Sequence, residues 1–409
     1  MRERELVIIG AGAAGMAAAL GAYDNGIRDI LLIEKEAEAG GILNQCIHNG
    51  FGLHTFKEEL SGPGYAERYY TKIEDKGIDF LFNTQVIRIG EDKTVEYVNE
   101  NGYDRIRAKA IVLSTGSKER TGASINLLGD RAVGVYTAGA AQKYLNMHGI
   151  LVGKRVFILG SGDIGLIMAR RMTLEGAKVL GVAEIMPYSN GLARNIKQCL
   201  EDFDIPLYLS HTIIRVNGRP HLKSVTMSKV DENLKVIKGT EQEIECDVLL
   251  LSIGLRSDIS LLDDIDIKKK RGAIVDNHYM TSKEGIFVAG NALHIHDLVD
   301  YVSQEAYDAG KYAAMYIKDH AIALNKHHAS AGNGLGYVIP ETFGDEDVTF
   351  SFRVNRVFKQ CVIRITGDGL NKEIRKLSLI PSEMERITLK KEILKDLKGD
   401  LRIEVSEWK

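Results

Sequence analysis

The 409-residue chain carries 53 basic and 56 acidic side chains for a formal net charge of -3, with 44% apolar and 27% charged residues. These are the proportions of a globular protein long enough for two or three domains. The charges are dispersed, and the absence of a basic stripe excludes a nucleic-acid partner.

Residues 6–9 (LVII) read as a buried parallel strand running into Gly10-Ala11-Gly12-Ala13-Ala14-Gly15. An Ala-rich helix to about Tyr23 follows, then a second strand over 30–33 that ends on Glu34 and Lys35. In such a βαβ unit Gly10 makes the tight turn, Gly12 lets backbone approach a pyrophosphate, and Gly15 lets helix and strand close up. Ala13 and Ala14 open a helix whose free N–H groups and partial positive charge suit phosphates, and Glu34 suits a ribose hydroxyl.

Residues 39–52 form a glycine-rich loop containing Gly41, Asn44, Gln45, Cys46 and His48. It reads either as backbone lying close to a cofactor or as a surface connection, and its mix of polar and apolar residues favours the first. A helix is expected over 65–76, then meander strands over 78–89, 94–99 and 104–108. A buried strand over 110–113 leads to Ser114, Thr115 and Gly116 at a tight turn.

The opening pattern then recurs. Residues 156–159 lead into Gly160-Ser161-Gly162-Asp163-Ile164-Gly165, a helix around 166–174 and a strand from Lys178 to Glu184. First glycine to terminal acid is the same interval in both copies (34 − 10 = 24 and 184 − 160 = 24). Two copies at one spacing imply two dinucleotide sites. Glu184 would repel a 2′-phosphate and so favours NAD(H) over NADP(H), although Arg194 could soften that preference. Strands over 205–229 and a buried run over 246–254 close this half as 110–116 closes the first.

Residues 285–291 are a further buried strand ending on Gly290-Asn291, and about 298–316 reads as a long amphipathic helix. Between them lie His294, His296 and Asp297. With His48 and Cys46 these are the candidate catalytic groups, since histidine titrates near neutral pH and can move the proton that accompanies hydride chemistry. They could equally be structural polar groups, and Asp297 a helix cap. The two histidines show no third ligand at workable spacing, so no metal is expected. Residues 325–334 read as a linker, and alternating runs over 348–354, 361–365 and 401–405 read as a small β-sandwich suited to docking or dimerisation.

Over residues 5 to 320 these motifs resemble the flavoproteins with two dinucleotide-binding domains, the pyridine nucleotide-disulfide oxidoreductase superfamily. The resemblance implies an α/β fold of two Rossmann-like dinucleotide-binding domains plus a C-terminal all-β domain. The FAD-binding domain would span 1–120 and 255–325, the NAD(P)-binding domain 121–254 and the β domain 333–409. It further implies that Gly10, Gly12, Gly15 and Glu34 bind the ADP half of FAD and that Thr115-Gly116 stands in the central turn. Gly160, Gly162, Gly165 and Glu184 would bind NAD(H), and Gly290-Asn291 the ribityl-pyrophosphate region. Two departures stand out. Asn291 replaces the family's aspartate, and Gly40-Gly41 is followed by the single Cys46 where disulfide reductases carry a cysteine pair.

The 40–52 and 291–297 stretches are similar to flavoprotein subunits related to opine oxidase, hydrogen cyanide synthase and dye-linked proline dehydrogenase. They are also similar to oxidoreductases encoded beside glycerol-3-phosphate dehydrogenase. The expected function is therefore hydride transfer between NAD(H) and FAD where the two domains meet, with electrons passed to or from a dehydrogenase or small electron-transfer subunit. Either a homo-oligomer or such a hetero-oligomer is expected. The alternatives are a self-sufficient NAD(P)H oxidase or quinone-type reductase, and a non-catalytic flavin-binding assembly component.

No segment is long and apolar enough to span a bilayer. Arg2 and Arg4 ahead of an apolar run do not signal secretion, because that run carries the first nucleotide motif. Cys46, Cys199, Cys246 and Cys361 are far apart with no CxxC pair, which argues against zinc, iron–sulfur or local disulfide chemistry. A cytoplasmic protein is the expectation.

Overall fold

The computed structural model describes residues 1–270, 272–319 and 325–408. They form two compact units, Met1–Ser117 with Ser257–Lys409, and Lys118–Arg256.

In the first unit, Asp79–Leu81, Ile30–Ile33, Arg2–Ile9, Gly102–Leu113 and Ile286–Val288 make a parallel sheet in that order. Successive side chains of a strand point to opposite faces, and here both faces are covered. Leu6, Ile8, Ile30, Leu32 and Val112 pack with the helices Ala13–Asp24, Gly62–Glu74 and Val299–Asp319. Val7, Ile9, Leu31, Ile33 and Leu113 pack instead with the antiparallel strands Gln85–Ile89 and Thr94–Asn99 and with the segment around Leu262 and Val275.

Several sequence expectations need correction, among them the linker expected over 325–334, half of which is the strand His327–Ala331 paired with Lys398–Glu407. The runs 104–108 and 110–113 are one strand, Gly102–Leu113, whose first half alternates in exposure beside Thr94–Asn99 and whose last four residues are all buried. The change of pattern marks a change of surroundings, with no break in the backbone. Conversely, 78–89 is interrupted where Asn83 turns left-handed at φ 49°. Asp79–Leu81 then joins the parallel sheet and Gln85–Ile89 the meander. The helix expected from Tyr65 begins at Gly62, where the Ser61 hydroxyl accepts from the Gly64 amide at 3.3 Å and Pro63 occupies the first turn.

The helices Ala13–Asp24 and Val299–Asp319 pack through alanines and glycines, with Ala17, Ala18 and Gly21 on one and Ala306, Ala309 and Gly310 on the other. A Cβ on Gly21 would lie 2.0 Å from the Tyr307 carbonyl oxygen, and one on Gly310 would lie 1.9 Å from that of Ala18. Only the absence of side chains allows this approach.

The second unit has its own parallel sheet, ordered Val135–Thr137, Val248–Leu251, Arg155–Leu159, Lys178–Glu184, Leu207–Leu209. The helices Ala138–His148 and Asp163–Leu174 cover one face, and a four-stranded sheet built on His211–Asn217 and Ser224–Lys229 covers the other. The C-terminal β module belongs to the first unit but holds a separate core around Phe343, Phe350, Phe352 and Phe358. A five-stranded and a three-stranded sheet enclose it, and one helical turn, Lys391–Leu394, qualifies the all-β expectation. The segment 320–324 and residue 409, within or at the edge of the expected domain bounds, lie outside the described residues. Among the described residues no helix is long and apolar enough to cross a membrane.

Gly310→Ala tests the helix contact by its sign. Helix propensity alone would favour alanine by about 1 kcal/mol, whereas overpacking costs about 1–3 kcal/mol or more. The variant is expected to be destabilised in urea denaturation, and a stabilised variant would refute the close approach.

Candidate active site

The first glycine turn stands at the C-terminal end of Arg2–Ile9. Gly10 has φ +99°, and a Cβ there would meet the Ser114 carbonyl oxygen at 2.6 Å. A Cβ on Gly15 would sit 1.8 Å from the Gly10 carbonyl oxygen, so helix and turn touch through backbone. Gly12 differs. The nearest atom to its Cβ position is the Gly40 carbonyl oxygen at 4.0 Å, which leaves the turn open where a phosphate would approach. Gly12 is also the N-cap of Ala13–Asp24, with no side chain capping it and no acid in the first turn. The helix terminus thus keeps its attraction for an anion.

Further segments converge here. The loop after Ile30–Ile33 crosses the turn, with Gly12 bridged to Gly40 and a Cβ on Gly41 reaching within 3.2 Å of the Gly12 Cα. Gly290, at φ +66°, approaches Ala14 so closely that an added Cβ would lie 2.7 Å from the Ala14 Cβ. The Thr115 hydroxyl donates to the Asp258 carbonyl at 2.6 Å, and the Gly116 carbonyl accepts from the Asp258 amide at 3.0 Å. The structure therefore gathers Gly10, Gly12, Ala13, Ala14, Gly15, Gly41 and Gly290 around one turn, while Lys35 is exposed. This geometry fits a dinucleotide such as FAD.

The second unit repeats the construction. Gly160 has φ +94°, with a Cβ position 2.2 Å from the Ser252 carbonyl oxygen, and Gly165 is closed off by the Ser252 side chain at 2.6 Å. Ser114 and Ser252 are equivalent supports that motif reading passed over. The Ser114 hydroxyl donates to the Ile9 carbonyl at 2.9 Å, and the Ser252 hydroxyl accepts from the Gly165 amide at 3.1 Å. Their signal was present as a serine two residues ahead of a glycine at the end of each closing strand. Asp163 leans away from the turn, its Oδ1 accepting from the Leu192 amide at 2.8 Å and the Asn195 side chain at 2.6 Å. It thereby holds the 190–195 loop. Ile164 is part-buried against the helical core.

Both terminal acids are buried, with Glu34 5% and Glu184 3% exposed. Glu34 accepts from the amides of Ala11 at 2.7 Å and Glu36 at 3.0 Å. Glu184 accepts from the Ser161 amide at 2.9 Å, the Ser161 hydroxyl at 2.6 Å and the Met186 amide at 2.9 Å. Each acid thus clamps its glycine turn to the next loop. A carboxylate offers about four lone-pair directions, so both retain capacity for a ribose hydroxyl.

The candidate catalytic groups separate. His294 and His296 stack edge-on at 4.4 Å and share Glu305, a buried acid on Val299–Asp319. His294 Nε2 lies 2.7 Å from Glu305 Oε2, and Glu305 Oε1 accepts from the Gly290 amide at 2.8 Å. Burial works against the Glu305 carboxylate, but His296 and His294 outweigh it and hold its pKa below the usual range. Burial lowers that of His294 against the pull of Glu305. Glu305 corrects the expectation of no third ligand. It was legible as an acid on the apolar stripe of the helix, between Val302 and Ala309.

Asp297, expected either beside the flavin or as a helix cap, is engaged with the C-terminal module. It pairs with Arg353 and accepts from the Met384 amide at 2.6 Å, both in the C-terminal module. Asn291 accepts from the His296 amide at 3.0 Å, shaping the 291–297 strap. Cys46 abuts the helix start at Gly62, and burial pushes its thiol up to about 12, which disfavours the thiolate. His48 is half-buried beside Phe51, in the same 41–52 loop and not in the strap.

The family profile described as pyridine nucleotide-disulphide oxidoreductase matches residues 4–311. The small chain of glutamate synthase [NADPH] from Escherichia coli is 26% identical over 329 residues, covering 72% of this chain and 65% of that one. An opine oxidase subunit from Agrobacterium tumefaciens is 27% identical over 335 residues, covering 76% of this chain and 64% of that one. The chain thus spans about two thirds of these relatives, or slightly less. The crystal structure of T. acidophilum thioredoxin reductase superposes with a TM-score of 0.62 at 23% identity, over 79% of this chain and 100% of that one, which shows a shared fold.

Glu34→Ala would leave the buried Ala11 amide without its acceptor, at a cost of about 1–3 kcal/mol. Flavin released per mole of purified protein is expected to fall, and the urea midpoint with it. Unchanged values of both would show that Glu34 neither clamps the turn nor serves the cofactor.

Proposed function

The chain belongs to the pyridine nucleotide-disulphide oxidoreductase family, a family of FAD- and NAD(P)H-dependent oxidoreductases, and from that premise we propose that it passes hydride between NAD(H) and FAD. We further propose that it works as one subunit of a larger enzyme, exchanging electrons with a partner dehydrogenase of the glycerol-3-phosphate or amino-acid/opine type. The duplicated glycine turn carries this reading. In each unit a left-handed first glycine, a helix start with no side-chain cap and a buried acid at the same interval stand at the end of a parallel strand.

Bound FAD supplies the two-electron chemistry. The chain's own part is binding and orientation. Gly12 and the uncapped start of Ala13–Asp24 receive the phosphates, Glu34 takes a ribose hydroxyl, and the Gly290 turn is held by Glu305 against the same region. On the other unit, Glu184 takes the nicotinamide dinucleotide's ribose and disfavours a 2′-phosphate. The single, part-buried cysteine of this loop, Cys46, supports electrons leaving by a route other than a protein disulfide. Partnership is supported by relatives whose names mark them as chains or subunits of larger enzymes, glutamate synthase and opine oxidase.

The decisive measurement is anaerobic. NADH added to the flavin-loaded protein is expected to bleach the flavin band rapidly, with slow turnover of oxygen until an electron acceptor is supplied. No bleaching by NADH or NADPH would reject the hydride path, and fast unaided turnover of oxygen or quinone would reject the subunit role. Glu184→Ala is expected to narrow the preference for NADH over NADPH, read as the ratio of kcat/KM values for flavin reduction. An unchanged ratio would remove Glu184 from nucleotide choice.

A further inference from the structure

We propose that His294, His296 and Glu305 form a binding site for one divalent transition-metal ion of the zinc type. The three ligand atoms lie within 4.8 Å of one another, and the cluster is buried. Two neutral imidazoles with one carboxylate are a donor set that zinc accepts, with a fourth position left for water.

The geometry around His296 leads to the ion. His296 Nδ1 lies 3.0 Å from the His294 carbonyl oxygen, which can only accept, so Nδ1 carries a proton and Nε2 is the atom left to ligate. Nε2 faces Glu305 Oε2 at 3.3 Å, and His294 Nε2 faces the same oxygen, so three donor atoms lie together in one buried place. The spacing fits. Two atoms each about 2.0–2.1 Å from a tetrahedral ion stand about 3.3 Å apart. His294 Nε2, at 2.7 Å from the same oxygen, would withdraw by roughly half an ångström to the same spacing.

Each ligand also has an orienting contact of the kind that surrounds built metal sites. Glu305 is fixed by the Gly290 amide at 2.8 Å, His296 by the His294 carbonyl, and His294 Nδ1 faces the Tyr337 hydroxyl at 3.5 Å. The neighbouring charges, Arg353 and Asp297, are paired with each other and compete for none of the three ligands. The ion fastens the 291–297 strap to the long helix and, through Glu305, to the Gly290 turn. Its role is structural.

The test uses the flavin-loaded full-length protein without an affinity tag of histidines, stripped with EDTA and titrated with zinc against a chromophoric chelator. One equivalent is expected to bind, and X-ray absorption at the zinc edge is expected to show two imidazoles and oxygen ligands. His296→Ala and Glu305→Gln should each weaken this binding by at least about 100-fold, beyond the 10–100-fold that loss of an outer contact costs. Failure of the wild-type protein to compete for zinc overturns the proposal, as does equal binding by His296→Ala. Should a variant not fold, the absorption spectrum of the wild type decides, because a zinc shell without two imidazoles also overturns it. The readout is bound metal, so its outcome is independent of whether NADH reduces the flavin.

Discussion

Backbone meeting backbone with no side chain between is the constraint on which the rest of the molecule depends. At Gly10, Gly15, Gly21 and Gly310 an added methyl would fall 1.8–2.6 Å from a carbonyl oxygen. These four contacts are linked. The Gly10 and Gly15 contacts set where Ala13–Asp24 leaves the sheet, and the Gly21 and Gly310 contacts set where Val299–Asp319 crosses it. That crossing brings Gly290 and Glu305 to the open glycine turn. The placement of the candidate site is therefore decided by steric exclusion, and the charged and polar groups refine a position already set.

The second unit reaches the same arrangement with different chemistry. In the first unit the loop after the acid is joined to the turn by backbone, the Gly40 amide donating to the Ala11 carbonyl at 2.8 Å. In the second, thirty positions on from the first glycine in both cases (40 − 10 and 190 − 160), the Asn190 amide donates to the Ser161 hydroxyl at 2.9 Å. A serine thus replaces a backbone carbonyl, and Glu184 accepts one bond more than Glu34. Both turns are closed by backbone packing at the first glycine and clamped by a buried acid, and the second adds the Ser161 hydroxyl to the clamp.

The glycine turns, their acids and the buried parallel strands were legible because each is a local pattern with a strict steric reason. Residues that act across long separations were not. Arg353 and Asp297 are 56 positions apart, and nothing near either announces the other. Glu305 lay open to reading as an acid on an apolar helix face, but its histidine partners come from a strap whose path no local rule supplies. The strand Gly102–Leu113 was divided because periodicity reports surroundings, and one backbone can pass from a half-exposed to a fully enclosed environment without bending.

That strand ties the register of two dissimilar layers together. Residues 106–113 pair with Arg2–Ile9, while 102–107 pair with Thr94–Asn99. A slip of one residue against Arg2–Ile9 would turn Ile111 and Leu113 to the helix face and, through the same rigid backbone, invert Ile106 in the meander. The meander thus has no freedom to choose its own alignment. It inherits one from the nucleotide-binding sheet, and errors in either layer are penalised in both.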